Sequence, residues 1–161
     1  MRIVVADTTP IRYLTEIDHL DVLPRLFKAV FIPNEVYEEL QQPATPALTR
    51  QLLKSAPAWL RIEPIMMFAE DPSFAGLDNG EKAALMLGLH LNADLILMDE
   101  RKGVAAALQK GLQTTGTLGV LTLAADSNLL DLVDAFTQLR QTNFYCPQGL
   151  MSKLLDEHRR A

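Results

Sequence analysis

Cysteine is almost missing from this chain of 161 residues: Cys146 stands alone. No intrachain disulfide can form, and a reducing cytoplasm is the expected setting. Long apolar runs are absent too. None approaches the roughly 18 residues that a membrane span requires, so no membrane partner is expected. The opening MRIVVADTTP lacks the apolar stretch and small-residue cleavage site of a secretory signal. Histidine is scarce, and His19, His90 and His158 are scattered without ligand spacing. With one cysteine beside them, a zinc centre is not expected. There is no G-x-S-x-G elbow, no P-loop and no G-x-G-x-x-G turn, which removes the common serine-hydrolase and nucleotide-cradling chemistries. Cationic residues are outnumbered 15 to 20 by acids, for a net charge of −5. That argues against a protein gripping a long nucleic-acid track. It leaves room for an enzyme that meets a phosphodiester through a metal ion, and it suits a basic protein partner.

What is present describes one globular domain over residues 1–161, with 48% hydrophobic and 22% charged residues and no repeat or linker. Ile3 to Ala6 reads as a buried strand that ends at Asp7 and feeds a helix, with Thr9 as N-cap and Pro10 at the first helical position. Val30 to Ile32 is a second strand, and Pro33-Asn34 opens a helix from Glu35 to Gln42. A helix over Ala47 to Ser55 and a strand over Leu60 to Glu63 follow, then a loop from Met66 to Leu77. Asp78-Asn79-Gly80-Glu81 starts a helix running to about Leu91. Asp94 to Met98 is an apolar strand stopped by Asp99, and Glu100 to Lys110 is a helix closed by Gly111. Leu112 to Thr115 is a strand, Gly116-Thr117 opens a helix through Ala125, and Leu129 to Arg140 and Gln148 to His158 are helices. Short, wholly apolar strands alternating with helices predict a three-layer α/β/α fold around a central parallel sheet.

Four acids can meet on such a scaffold. Ligands of open parallel sheets bind beyond the carboxyl ends of the strands, where Asp7 and Asp99 both fall. Taken singly, each acid is equally a turn or cap residue. From Glu81 to Leu91 the helix descends about 15 Å. The strand from Asp94 to Asp99 climbs back about 17 Å, which returns Glu81 to the level of Asp99. Asp78 with Glu81 three residues on is also close to a capping box, so the local sequence leaves both roles open for Glu81. On the helix holding Glu35, Glu38 and Glu39, Val36 and Leu40 define the buried face. Glu38 lies opposite that face and Glu39 about 80° from its centre, so Glu39 is the acid able to lean inward, or else surface charge like its neighbours. Clustered carboxylates repel one another, and a hard divalent cation relieves that repulsion. Oxygen ligation of this kind suits Mg²⁺ or Mn²⁺, and the chemistry within its reach is phosphodiester hydrolysis.

The segments VVADTTP, FIPNEVYEEL, LDNGEKAALMLG, ADLILMDERKGVAAALQKGL and TTGTLGVL run in order from about residue 3 to 125. They resemble successive motifs of PIN-domain proteins, in particular the bacterial and archaeal DUF3368 group related to the VapC-like toxins. NFYCPQGLMSKLLDE extends the likeness more loosely. The resemblance implies a PIN fold and a Mg²⁺- or Mn²⁺-dependent ribonuclease, with Asp7, Glu39, Glu81 and Asp99 as catalytic metal ligands. Glu81 stands where an Asp is common in the broader family, which puts the metal geometry and number in question. The resemblance also implies an RNA substrate, a homodimer and a cognate antitoxin, the chain being the toxin of a type II toxin–antitoxin pair. Glu100 is an additional ligand or outer-shell candidate. Thr8 is a carboxylate-orienting or turn residue. Thr115 and Thr117 are capping residues or phosphate neighbours, and Arg12, Arg101 and Lys102 are RNA contacts or solvated surface charges. The competing expectation is a catalytically inactive PIN-fold module that binds RNA or protein.

Overall fold

The computed structural model describes residues 2–65 and 71–160. Its five strands are β1 (Val4–Ala6), β2 (Val30–Pro33), β3 (Leu60–Glu63), β4 (Leu95–Leu97) and β5 (Thr114–Thr115). They lie in the order β3-β2-β1-β4-β5, and every neighbouring pair is parallel. Successive strand residues point to opposite faces, and the core divides accordingly. Val4, Ala6, Ile32 and Leu97 join a large cluster on one face, while Val5 and Ile96 join a smaller one on the other. The expected three-layer α/β/α arrangement is present.

The first connections are helical: α1 (Thr8–Glu16), α2 (Val22–Phe27), α3 (Asn34–Leu40) and α4 (Ala47–Lys54). Then come α5 (Asn79–His90) before β4, α6 (Arg101–Gln109) before β5, and finally α7 (Thr117–Asp126), α8 (Leu132–Arg140) and α9 (Leu150–Arg160). Gly111, with φ +78, sits just beyond α6 and takes the left-handed conformation that its place after a helix favours.

Several boundaries differ from the sequence reading, each for a local reason. α1 begins at Thr8 with Asp7 as N-cap, so Thr9 is not the cap and Pro10 is the third helical residue. Proline is tolerated there because the first-turn N–H groups have no intrahelical acceptor. α2 was not expected: its six residues are too few to show a helical stripe, and they include Pro24. α8 starts at Leu132 and not at Leu129, because the Asp131 side chain accepts the Asp134 N–H at 3.0 Å and caps it there. β5 is only Thr114–Thr115. Of the loop expected from Met66 to Leu77, residues 66–70 lie outside the described residues, and Pro72–Phe74 form one 3-10 turn.

The helical end of the chain is held by Phe136, whose side chain in α8 is fully buried in the larger cluster. Phe136→Ala should lower the unfolding free energy by about 3–5 kcal/mol, the range for emptying an aromatic site in a core. Urea unfolding measures this, and a loss under about 1 kcal/mol would mean that α8 is not packed as described.

Candidate metal centre

The site follows from where the central strands stop. β1 and β4 are neighbours, with Ala6 level with Leu97, and the Asp7 N–H donates to the Leu97 carbonyl at 2.9 Å. From this pair the strand order runs outward in both directions, so their carboxyl ends form the topological switch point of the sheet. Asp7 and Asp99 both lie there. A cleft of about 310 Å³ opens at this rim, and Asp7, Glu39, Asp78, Glu81, Asp99 and Glu100 all line it. No Lys, Arg or His belongs to its lining among the described residues. All four acids selected from the sequence therefore share one cleft, together with Glu100.

Asp7 is the most enclosed of them, only 5% exposed. Burial pushes its carboxyl up from 3.8 to about 7, against the opposing pull of the Thr8 backbone N–H. The charges of Asp78, Glu39 and Glu81 push it further the same way. Glu39 is exposed as a residue, but its inner end accepts a bond from the Thr8 hydroxyl at 3.0 Å. Desolvation of that end raises its pKa, the Thr8 bond opposes the rise, and the charge of Asp78 adds to it. The Thr8 hydroxyl thus orients Glu39, while only its backbone N–H serves the neighbouring Asp7.

Asp99 reaches across to the start of α7. The Thr117 N–H donates to its Oδ1 at 2.9 Å and the Thr117 hydroxyl to its Oδ2 at 2.7 Å. Burial still raises the Asp99 pKa despite both bonds. Thr117 is fully buried and holds this carboxylate, so its role is neither a phosphate contact nor a cap by its own side chain.

Glu81 realises the structural role that the sequence left open. Its N–H donates to Asp78 Oδ1 at 2.8 Å, and its Oε2 accepts the Asp78 N–H at 3.1 Å, a complete capping box. It lines the cleft as well, and its pKa is raised, first by desolvation and also by the charges of Asp78 and Glu100.

Two glycines permit these approaches. A Cβ on Gly80 would stand 2.5 Å from Glu39 Oε2 and 3.7 Å from Asp7 Oδ1, and a Cβ on Gly116 would stand 2.5 Å from Asp99 Oδ1. The N-terminal turns of α5 and α7 are thereby drawn onto the acids, positive ends first. The expected cationic contacts lie elsewhere. Arg12 stands 3.6 Å from Glu16 and over the Tyr13 ring, while Arg101 and Lys102 are exposed at the start of α6, and none of the three lines the cleft.

The donor set fits a hard divalent cation in kind: oxygen only, several carboxylates with raised pKa values, and no cation to neutralise them. Its atoms are not gathered as a finished cage, for among the described residues no three His, Cys, Asp or Glu stand as a ready metal-binding group. The protein's own donors explain this, since Thr8, Thr117 and the Asp78 amide each engage one of the acids.

Sequence reasoning passed over one wall of the cleft. Tyr13, Asn143, Phe144 and Tyr145 form it together with the acids. The only signal was the polar-aromatic run Asn143-Phe144-Tyr145 between two helices.

The acid-lined cleft lies at the switch point of a parallel sheet, where open α/β domains bind their ligands. A family model described as a PIN domain, DUF3368, matches residues 3–160, and the chain belongs to that family. No curated protein matches the chain. Among the described residues no helix is long and apolar enough to cross a membrane.

The Asp7 pKa has a consequence for stability. A carboxyl whose folded pKa of about 7 exceeds its unfolded value of 3.8 contributes stability that is fully present below pH 3.8 and lost as pH rises through 7. In EDTA, Asp7→Asn should therefore unfold like the wild type near pH 4 and at a higher denaturant concentration near pH 8. The gap should be on the order of 4 kcal/mol at most, about three pKa units of differential protonation. Equal pH dependence in the two proteins would show that Asp7 is not buried among like charges.

Proposed function

We propose that the protein is a metal-dependent endoribonuclease and the toxin component of a type II toxin–antitoxin pair. The observation that carries this reading is the Asp7 carboxyl, 5% exposed and pushed to about 7, in a cleft whose lining holds other acids and, among the described residues, no cation. Such an arrangement costs folding stability, and binding a cation turns that cost into affinity. Asp7, Glu39, Glu81 and Asp99 would hold the ion, Mg²⁺ or Mn²⁺ by the hardness of the donors. When bound, it supplies water activation and charge stabilisation for in-line attack on phosphorus.

The remaining work falls to the chain's own groups. Thr8 and Thr117 fix the orientations of Glu39 and Asp99. Glu100 lines the cleft with its side chain engaged by no described hydrogen bond or ion pair, which frees its carboxylate to accept the proton of the attacking water. The oxygen of that water bonds to phosphorus and the P–O3′ bond breaks. The products are a 5′-phosphate and a 3′-hydroxyl, the latter taking up a proton. A homodimer and a cognate antitoxin in the cytoplasm belong to the same reading.

The protein hydrogen bonds that already engage Glu39, Glu81 and Asp99 favour the second reading, a PIN-fold module that binds RNA or protein without cutting. One experiment decides between them. With mixed structured RNAs and Mn²⁺, the wild type should cleave, EDTA should stop it, and Asp7→Asn should lose at least ~100-fold, the scale of removing one charge-stabilising group at a reacting centre. A wild type that retains RNA without cutting it, or an Asp7→Asn that cuts equally well, would favour the module. Calorimetric titration with Mn²⁺ alone reads ion binding separately.

A further inference from the structure

Tyr145 is the most exposed large apolar or aromatic side chain among the described residues, at 82%, and it stands on the wall of the acidic cleft. The segment carrying it is built, not loose. The Thr142 hydroxyl donates to the Leu139 carbonyl at 2.6 Å and accepts the Phe144 N–H at 3.2 Å. Asn143 Oδ1 accepts the Tyr13 hydroxyl at 2.6 Å, and the Phe144 ring meets Tyr13 edge-on, with centroids 5.1 Å apart. Tyr13 lies on α1, the helix that begins directly after Asp7. The two residues before it are therefore anchored to the helix that Asp7 caps, while the ring of Tyr145 is presented to solvent.

Among the described residues the cleft lining offers no cation for direct phosphate pairing, so within the cleft neutral contacts would add to what a bound ion supplies. A flat exposed aromatic ring beside the acids provides one, because every base has a face on which it can stack. Bases within a duplex are stacked on their own neighbours, and only an unpaired base can lie on such a ring.

We propose that Tyr145 is a stacking platform that selects RNA presenting an unpaired nucleotide next to the phosphodiester to be cut. This rests on the ribonuclease reading above. Tyr145 is a positioning residue for substrate; it takes no part in the bond-breaking step.

The test reads binding apart from cleavage. Anisotropy of a fluorescein-labelled, phosphorothioate-linked single-stranded RNA is measured with Mn²⁺ present, beside the same strand in a duplex. Initial rates on ordinary RNA give KM and kcat. Tyr145→Ala should weaken single-strand binding and raise KM by about 5- to 30-fold, the lower part of the range for one base–aromatic stack. Its kcat should stay within about twofold of the wild type, as for loss of a contact shared by ground and transition states. Tyr145→Phe and Tyr145→Trp should restore both values, and the duplex should bind weakly to every protein.

A wild type that cleaves while Tyr145→Ala keeps its affinity and KM would overturn this proposal alone. Tyr145→Phe behaving like Tyr145→Ala would overturn it in favour of the hydroxyl. A changed mass in sedimentation with single-strand affinity intact would replace it by a protein contact. A wild type that neither binds nor cleaves RNA would overturn the ribonuclease reading along with it.

Discussion

The Asp7 carboxylate follows the central strand of the sheet and is buried among other acids, with no cation in the cleft lining among the described residues. A carboxylate in that position disfavours its own charged form, and each further acid adds to the penalty. The rest of the rim is arranged around this constraint. Gly80 admits the first turn of α5 next to Asp7 and Glu39, and Gly116 admits the first turn of α7 next to Asp99. Backbone N–H groups and the positive ends of two helices supply partial positive charge where whole charges are missing. They lessen the repulsion without removing it, and the pKa values stay raised.

The fold was legible because β1 and β4 are short, apolar on both faces and set between helices, the pattern of a covered parallel sheet. Val4 to Ala6 and Leu95 to Leu97 are buried throughout, and the acids that follow them fall at the rim as chain length required. Glu81 came to the level of Asp99 by the same counting. What sequence could not show was partnership across the chain. Thr8 precedes Glu39 by 31 residues and Asp99 precedes Thr117 by 18. No local pattern encodes such pairs, so Thr117 read as a cap and Thr8 as a neighbour of Asp7. α2 escaped for a different reason, since six residues with a proline carry no measurable period.

Asp78 and Glu81 illustrate how one local motif can serve two ends. The capping box fixes the start of α5, and a helix start fixed there also fixes the height of both carboxylates at the cleft. The structural role and the candidate ligand role are therefore not alternatives, as the sequence alone presented them. Each of the two side chains is held by one backbone bond, which would lower the entropy lost on binding an ion.

That consideration turns the incomplete cage into a statement about affinity. Glu39, Glu81 and Asp99 each accept at least one protein hydrogen bond, and an incoming cation must share or displace those donors. Asp7 is the one of the four raised as far as about 7, because burial outweighs the opposing Thr8 backbone N–H. A bound cation would have to ionise Asp7 and share or displace the donors that hold the other three. Only the first requirement depends on pH: raising pH ionises Asp7 and would favour such binding, while the competing donors are uncharged and do not titrate. On the proposed reading, the acid that costs the fold most is also the one whose ionisation would govern loading, while Thr8, Thr117 and the Asp78 amide would set how far the other three have to move.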